Sequence, residues 1–183
     1  MAYVRVVSPA EAEGELRRAY DLVQAHRGGI ANVFRVQSLR PDALMAHLGL
    51  YMAVMFGPSG LSRREREALA MVVSAANNCS YCVVHHAAAL RHHEPDGRVV
   101  DRLGKGEIPD DLPPRLRAIL AYGRKLTKAS FAIDDADIQT LRKAGLDDET
   151  ILSTNLVAAY YNLVNRLVDG LGVDLDDPGG YQY

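Results

Sequence analysis

The chain has 183 residues, of which 48% are hydrophobic and 24% charged, and its 21 lysines and arginines against 23 aspartates and glutamates leave a formal net charge of −2. This length and composition exclude a disordered or fibrous chain and favour one globular domain over residues 1–183. The balanced charge provides no basic surface for nucleic acid or for an anionic membrane. Arg5 interrupts the only apolar stretch near the start, and no window approaches the ~20 apolar residues of a membrane span, so we expect a cytoplasmic protein without signal peptide or membrane helix.

The first predicted helix begins at a capping box, Ser8–Glu11, with proline at its first helical position. It extends to about His26, and Gly28-Gly29 ends it. Its apolar residues recur at the spacing of one helical face, and they are Leu16, Ala19, Tyr20 and Val23. These four residues are therefore candidates for the core.

Helix signals continue along the rest of the chain, and no alternating strand pattern extends beyond the first few residues. The further predicted helices cover, approximately, residues 31–39, 41–56, 63–76, 97–104, 115–128, 134–144 and 147–169, and one more begins at Cys79. The fourth helix starts at a second capping box, Ser62–Glu65, and is apolar nearly all round, which is typical of a buried helix. We expect the charged run Arg63–Glu67 to form a mostly exposed first turn. The predicted fold class is all-α, a compact multi-helix bundle.

Cysteine and histidine concentrate in one short segment. The only two cysteines, Cys79 and Cys82, are three residues apart, and four of the six histidines lie within the fourteen residues that follow Cys79. In a cytosolic protein a C-x-x-C pair indicates redox chemistry or a metal site. On a helix that starts at Cys79, the two cysteines lie about 60° apart on one face, and His86 falls between them one turn further on.

Two thiols beside an imidazole suit thiol–disulfide exchange or peroxide reduction, because the thiolate is the reactive form. A helix N-terminus and a nearby imidazolium can lower a cysteine pKa from ~8.5 to ~3.5–7.5. We assign the attack to Cys82, which has His86 at i+4 as a base, and the resolution of the resulting sulfenic acid to Cys79. The helix dipole favours the reverse order, in which Cys79 attacks and Cys82 resolves, so that alternative stays open. His85 lies nearer Cys82 but is turned away from Cys79, and it is a secondary candidate.

The histidine of such a site needs a carboxylate that orients its ring. Glu65 occupies the capping box, whereas Glu67 lies past the cap on a face of small residues that lets another helix approach. Glu67 is therefore the candidate for a Glu–His–Cys relay. The alternative for Glu67 is a carboxylate that favours the helix start and takes no part in chemistry.

The spacing Glu67-x11-Cys79-Ser80-Tyr81-Cys82-x3-His86 resembles the signature of the AhpD-like alkylhydroperoxidases, within the carboxymuconolactone-decarboxylase-like superfamily. The segments Asn32–Val36 and Tyr161–Arg166 resemble the peroxidase-related members of this family, so the resemblance covers most of the chain. It implies an all-helical fold, a trimer or hexamer, and reduction of organic hydroperoxides by the cysteine pair.

The resemblance also implies which residues act. The family's glutamate, two cysteines and distal histidine correspond to Glu67, Cys79, Cys82 and His86. Tyr81, a secondary candidate, stands where AhpD has a further histidine of its proton relay, so the relay of this chain differs there. The decarboxylase branch is disfavoured because it uses no cysteine pair.

The resulting prediction is an antioxidant thiol peroxidase that needs no metal or organic cofactor and is re-reduced by an external dithiol or thiol protein. Its alternatives are two inert buried cysteines, or a redox-sensing or zinc-binding helical protein with His86 and His92 or His93 as further ligands. A continuous helix aims tetrahedral zinc ligands poorly. We expect His92 and His93 to be ordinary surface or packing residues, Asn162 and Asn165 to join helices or subunits, and Tyr160 and Tyr161 to lie in the core or an interface.

Overall fold

The computed structural model describes residues 2–176, and within that range the chain is helical, with no residue in a strand. Nine α-helices occupy these residues: α1 Gly14–Arg27, α2 Asn32–Arg35, α3 Pro41–Phe56, α4 Arg63–Ala76, α5 Ser80–Arg91, α6 Gly97–Gly104, α7 Pro114–Ala129, α8 Asp135–Lys143 and α9 Asp148–Leu171, with a 3-10 turn at Ser130–Ala132. This confirms the predicted all-α class. None of the helices among residues 2–176 has both the length and the apolar character needed to cross a bilayer.

Contacts divide the chain into two compact units. Among the described residues, one unit contains residues 2–53 together with residues 166–176, and the other is Val54–Asn165. Both cysteines, the four clustered histidines and the glutamates of α4 belong to the second unit. The prediction of one domain over residues 1–183 stays a prediction.

In the first unit, α1 buries the predicted stripe of Leu16, Ala19, Tyr20 and Val23. The helix starts later than its capping box predicts, because Glu13 is extended and Gly14 has a φ of +53°. Ser8 and Glu11 do hydrogen-bond to each other, but they close a separate turn before the helix. The predicted second helix is likewise shorter, and α2 is a single turn.

In the second unit, α4 is the central element and packs against α5, α6 and α7. Its capping box is complete, since the Ser62 hydroxyl accepts from the Glu65 N–H and the Glu65 carboxylate accepts from the Ser62 N–H. Gly123 of α7 faces Leu69 so closely that an added Cβ would lie 2.2 Å from the Leu69 Cδ1 atom. The absence of a side chain at Gly123 therefore allows α7 to approach α4.

The prediction that Arg63–Glu67 forms a mostly exposed first turn is wrong. Arg66 and Glu67 are only 5% and 1% exposed. Arg66 is buried because its guanidinium reaches back to the carbonyl of Gly57 and the hydroxyl of Ser59, at 2.7 and 2.8 Å. The first turn of α4 thus lies under the 57–60 loop rather than in solvent.

Candidate active site

The two cysteines lie at the start of α5. Cys79 is the N-cap residue, one position before the helix, and Cys82 lies in the first turn. The helix therefore begins one residue later than predicted, at Ser80. Both side chains are buried, and their Sγ atoms are 3.0 Å apart, farther than the ~2.05 Å of a disulfide bond. Both thiols lie at the positive end of the helix dipole, which favours a thiolate.

The turn before Cys79 is held by side-chain amides. Asn78 has a φ of +60°, a conformation that asparagine tolerates better than most residues. It lies in the turn that connects the end of α4 to the start of α5. The Asn77 amide donates to the Oδ1 atoms of Asn162 and Asn165 on α9, at 3.0 and 2.8 Å. Asn165 in turn donates to the Ser74 hydroxyl. Asn162 and Asn165 therefore join helices, as the sequence predicts.

Glu67 of α4 contacts His86, which lies one turn after Cys82 on α5. The Glu67 Oε2 atom is 2.7 Å from the His86 Nδ1 atom, and the two side chains are 1% and 13% exposed. A hydrogen bond from Nδ1 to the carboxylate leaves Nε2 as the ring atom that can accept a proton. The helix spacing places His86 on the cysteine side of α5, so the four predicted catalytic residues belong to one region of the second unit.

The other candidates have separate roles. Glu65 is used by the capping box and by Arg115, whose Nε lies 2.8 Å from the Glu65 Oε1 atom, whereas Glu67 contacts His86. Tyr81 and His85, the secondary candidates, are both buried and pack ring against ring with centroids 4.3 Å apart. His92 and His93 are exposed, as expected.

Sequence reasoning missed two neighbours of the Glu67–His86 pair. Tyr161 is buried, as predicted, but its ring meets the His86 ring edge to face at 4.4 Å. Arg63 forms an ion pair with the Glu67 Oε1 atom at 2.6 Å. The i, i+4 spacing of Arg63 and Glu67 was a signal for this pair, whereas no local signal relates Tyr161 to His86.

Within residues 2–176, no three histidine, cysteine, aspartate or glutamate side chains are grouped so that they could hold a metal ion. The chemistry that the described residues can supply is that of two thiols, an imidazole and a carboxylate. Such a set can take up a proton, attack an electrophile through sulfur and form a disulfide.

The fold and these residues define an AhpD-like helical protein with a C-x-x-C site, and comparison with known proteins agrees. A crystal structure described as the alkylhydroperoxidase AhpD core of a peroxidase-related protein from Ralstonia eutropha JMP134 is 34% identical and matches 96% of this chain and 93% of its own, with a TM-score of 0.86. A peroxidase-related protein from Silicibacter sp. TM1040 is 30% identical over 95% of this chain and 90% of its own, with a TM-score of 0.83.

The carboxymuconolactone decarboxylase family model matches residues 41–95, a range that contains both cysteines and the Glu67–His86 pair. The chain belongs to the AhpD-like family of the carboxymuconolactone-decarboxylase superfamily. No curated protein sequence matches it.

A more distant structure has the same fold and a different named activity. The debrominase Bmp8 in complex with 2,3,4-tribromopyrrole is 17% identical over 95% of this chain and 91% of its own, with a TM-score of 0.79. At this identity the likeness concerns the fold alone.

Proposed function

We propose that this protein is a thiol-dependent hydroperoxide reductase with an antioxidant role. The observation that carries the proposal is the placement of two buried thiols 3.0 Å apart at the start of α5, one helical turn before a histidine that is bound to a buried carboxylate. The similarity to peroxidase-related proteins of the AhpD-like family supports the same class of reaction.

The proposed reaction begins with the Cys82 thiolate. His86, one turn further along α5, takes the Cys82 proton, and Glu67 stabilises the imidazolium that results. The thiolate attacks the terminal oxygen of the hydroperoxide, the O–O bond breaks, and the leaving alkoxide takes a proton from the imidazolium and departs as an alcohol. Cys82 is then a sulfenic acid.

The second step uses Cys79. Its sulfur attacks the Cys82 sulfur, the S–O bond breaks, and the hydroxide takes up the proton lost by the Cys79 thiol and leaves as water while a Cys79–Cys82 disulfide forms. An external dithiol returns both cysteines to thiols through a mixed disulfide and is itself oxidised. The sum is one hydroperoxide and one dithiol converted to one alcohol, one water and one external disulfide.

Burial of the thiols restricts what can react. Cys79 and Cys82 are 0% and 2% exposed, so a bulky reductant cannot reach a sulfur without movement at the start of α5. Cys79 is a cap residue rather than a helical one, and a cap moves more easily than the interior of a helix. We therefore place the movement that accompanies disulfide exchange at residues 78–80.

The test is peroxide-dependent oxidation of the purified, reduced protein followed by thiol counting. Cumene hydroperoxide should remove two thiols per chain, and dithiothreitol should restore both. The Cys79→Ser/Cys82→Ser double variant, which contains no thiol, should leave the peroxide unconsumed. Thiols that resist peroxide, with stoichiometric zinc that survives dialysis, would overturn the proposal in favour of a zinc-binding helical protein.

A homo-oligomer is part of the same proposal. Leu152, Leu156 and Leu163 of α9 are 59%, 42% and 52% exposed, and their spacing places them on one stripe of the helix. A second copy of the chain would cover this stripe, and the oligomeric assemblies of the family agree with that. A sedimentation mass near the 20.0 kDa of one chain at micromolar concentration would contradict it.

A further inference from the structure

We infer that Arg63 is a positioning residue of the site, which acts on His86 through Glu67 and keeps the imidazole able to release the proton that it takes up. The inference rests on the proposed role of the Glu67–His86 pair. It adds a residue outside the Glu-Cys-Cys-His set, on the far side of the carboxylate from the histidine.

The Glu67 carboxylate divides its two oxygens between two partners. The Oε2 atom lies 2.7 Å from the His86 Nδ1 atom, and the Oε1 atom lies 2.6 Å from the Arg63 Nη2 atom. Glu67 is 1% exposed, so water does not compete for either oxygen. The carboxylate therefore cannot rotate toward or away from the ring without breaking the ion pair with Arg63.

Arg63 is itself fixed at two further points, both at the end of α3. Its Nη1 atom donates to the Met55 carbonyl at 2.8 Å, one of the carbonyls that a helix C-terminus leaves without a helical partner. Its guanidinium lies over the Phe56 ring, 4.0 Å from the centroid. The side chain is only 22% exposed, whereas Arg98 in its surface pair with Asp96 is 89% exposed. Arg63 is thus partly buried and held in place by several partners.

The electrostatic consequence concerns the proton on His86. A buried carboxylate alone beside an imidazole favours the imidazolium strongly, because the negative charge has no other partner. Arg63 neutralises that charge, so the Arg63–Glu67–His86 group is neutral when the ring is neutral. A base of this kind can both accept and return a proton, as the proposed reaction requires.

Other titratable groups lie close to this cluster. The Tyr161 ring of α9 packs on His86, and Cys82 lies one turn before it on α5. Arg66 lies next to Arg63 on α4; burial first and the Arg63 charge second lower its pKa. A substitution at position 63 changes neither Tyr161 nor Cys82, but Arg63→Gln removes the charge that contributes to the lowered pKa of Arg66, whereas Arg63→Lys keeps it.

The experiment is a pH titration of the His86 ring resonances by NMR, with the signals assigned from the His86→Gln variant. Arg63→Gln should move the midpoint of this titration upward by about one pH unit, a roughly tenfold gain in proton affinity, because one neighbouring positive charge is lost. Arg63→Lys, which keeps the charge, should restore the midpoint to within about 0.3 pH unit of the unsubstituted protein. Arg64→Gln is the matched control, since it removes a positive charge from the same helical turn but its partner is Glu94.

A midpoint that Arg63→Gln leaves unmoved, or moves no more than Arg64→Gln does, would overturn the inference. If Arg63→Gln does not fold, the test uses Arg63→Lys alone. A His86 titration midpoint that rises by a full pH unit in Arg63→Lys, despite the retained charge, would also overturn the inference. The readout needs no peroxide turnover. A protein inert to peroxide whose Arg63→Gln variant shows the shift would contradict the proposed function alone, and an active protein without the shift would contradict this inference alone.

Discussion

Glu67 and His86 are 19 residues apart in sequence, and the carboxylate Oε2 atom of one lies 2.7 Å from the ring Nδ1 atom of the other. Glu67 projects from the first half of α4 and His86 from the middle of α5. The contact forms because Asn78 turns the chain back after α4, so that the two helices pack side by side. The pair therefore links α5, one turn after Cys82, to the first half of α4.

The order of the two cysteines can be tested by single substitutions. Cys82→Ser should abolish peroxide consumption, because Cys82 has the base one turn away. Cys79→Ser should react once and stop at a sulfenic acid, because no second thiol is present to form the disulfide. A dimedone-type probe with mass spectrometry detects that species. If the two variants exchange these behaviours, Cys79 is the attacking residue and the N-terminal dipole outweighs the imidazole.

The Glu67–His86 contact predicts strongly coupled effects on rate. His86→Gln should slow peroxide reduction by roughly 10²–10⁴-fold, the usual contribution of a placed proton-transfer group. Glu67→Gln acts through the same ring, so the double variant should be little slower than His86→Gln alone in stopped-flow assays.

Glu65→Gln provides the matched control for Glu67→Gln. It changes a neighbouring glutamate that forms the capping box and does not contact His86, so it should alter stability more than rate. Rate losses of Glu67→Gln and His86→Gln that multiply in the double variant would show that the two residues do not act as one relay.

The amide cluster between α4 and α9 predicts a loss of stability. Asn165 is fully buried, accepts from Asn77 and donates to Ser74, so Asn165→Leu leaves two polar partners without this bond. Its free energy of unfolding, from urea titration, should fall by about 2–4 kcal/mol. Gln139→Leu on α8, at a partly exposed position, should change it by less than about 0.5 kcal/mol. A fall no larger than that of Gln139→Leu would mean that the cluster does not stabilise the turn before Cys79.

His47 in the first unit predicts how stability depends on pH. Burial lowers the pKa of His47 from 6.5 to about 4, and Gln37 donates to its Nδ1 atom, which requires the neutral ring. The unfolded chain binds the proton at higher pH than the folded one. The contribution of His47 to the free energy of unfolding is therefore complete above pH ~6.5 and is lost as the pH falls toward 4.

Between pH 7 and 4.5 the free energy of unfolding of the protein should therefore decrease by up to about 3 kcal/mol from this residue. The comparison is with His47→Gln, which has no titrating ring and should show a smaller decrease over the same interval by urea titration. Equal decreases in both proteins would show that His47 does not cause the acid sensitivity.

Local signals in the sequence predict where some of the helices start. The Ser62–Glu65 box and the Pro41 start were placed correctly, because each depends on hydrogen bonds or φ angles within a single turn. The Ser8–Glu11 box was placed too early for α1, since Gly14 adopts a positive φ and begins the helix later. The burial of Arg66 was not predicted, because it depends on contacts with the 57–60 loop rather than on the composition of α4.

The sequence by itself determined the all-α class, the family, and the candidates Glu67, Cys79, Cys82 and His86, because regular helix geometry converts their spacing into shared faces. Only the tertiary structure decided how Glu67 divides its oxygens, that Arg63 is anchored at the end of α3, and that the Tyr161 ring packs on His86. Apart from the Arg63–Glu67 ion pair, which lies within α4, these contacts join residues from different helices. Their geometry depends on how the helices cross and on which side chains are buried at the crossing, and neither is encoded in the spacing of residues along one helix.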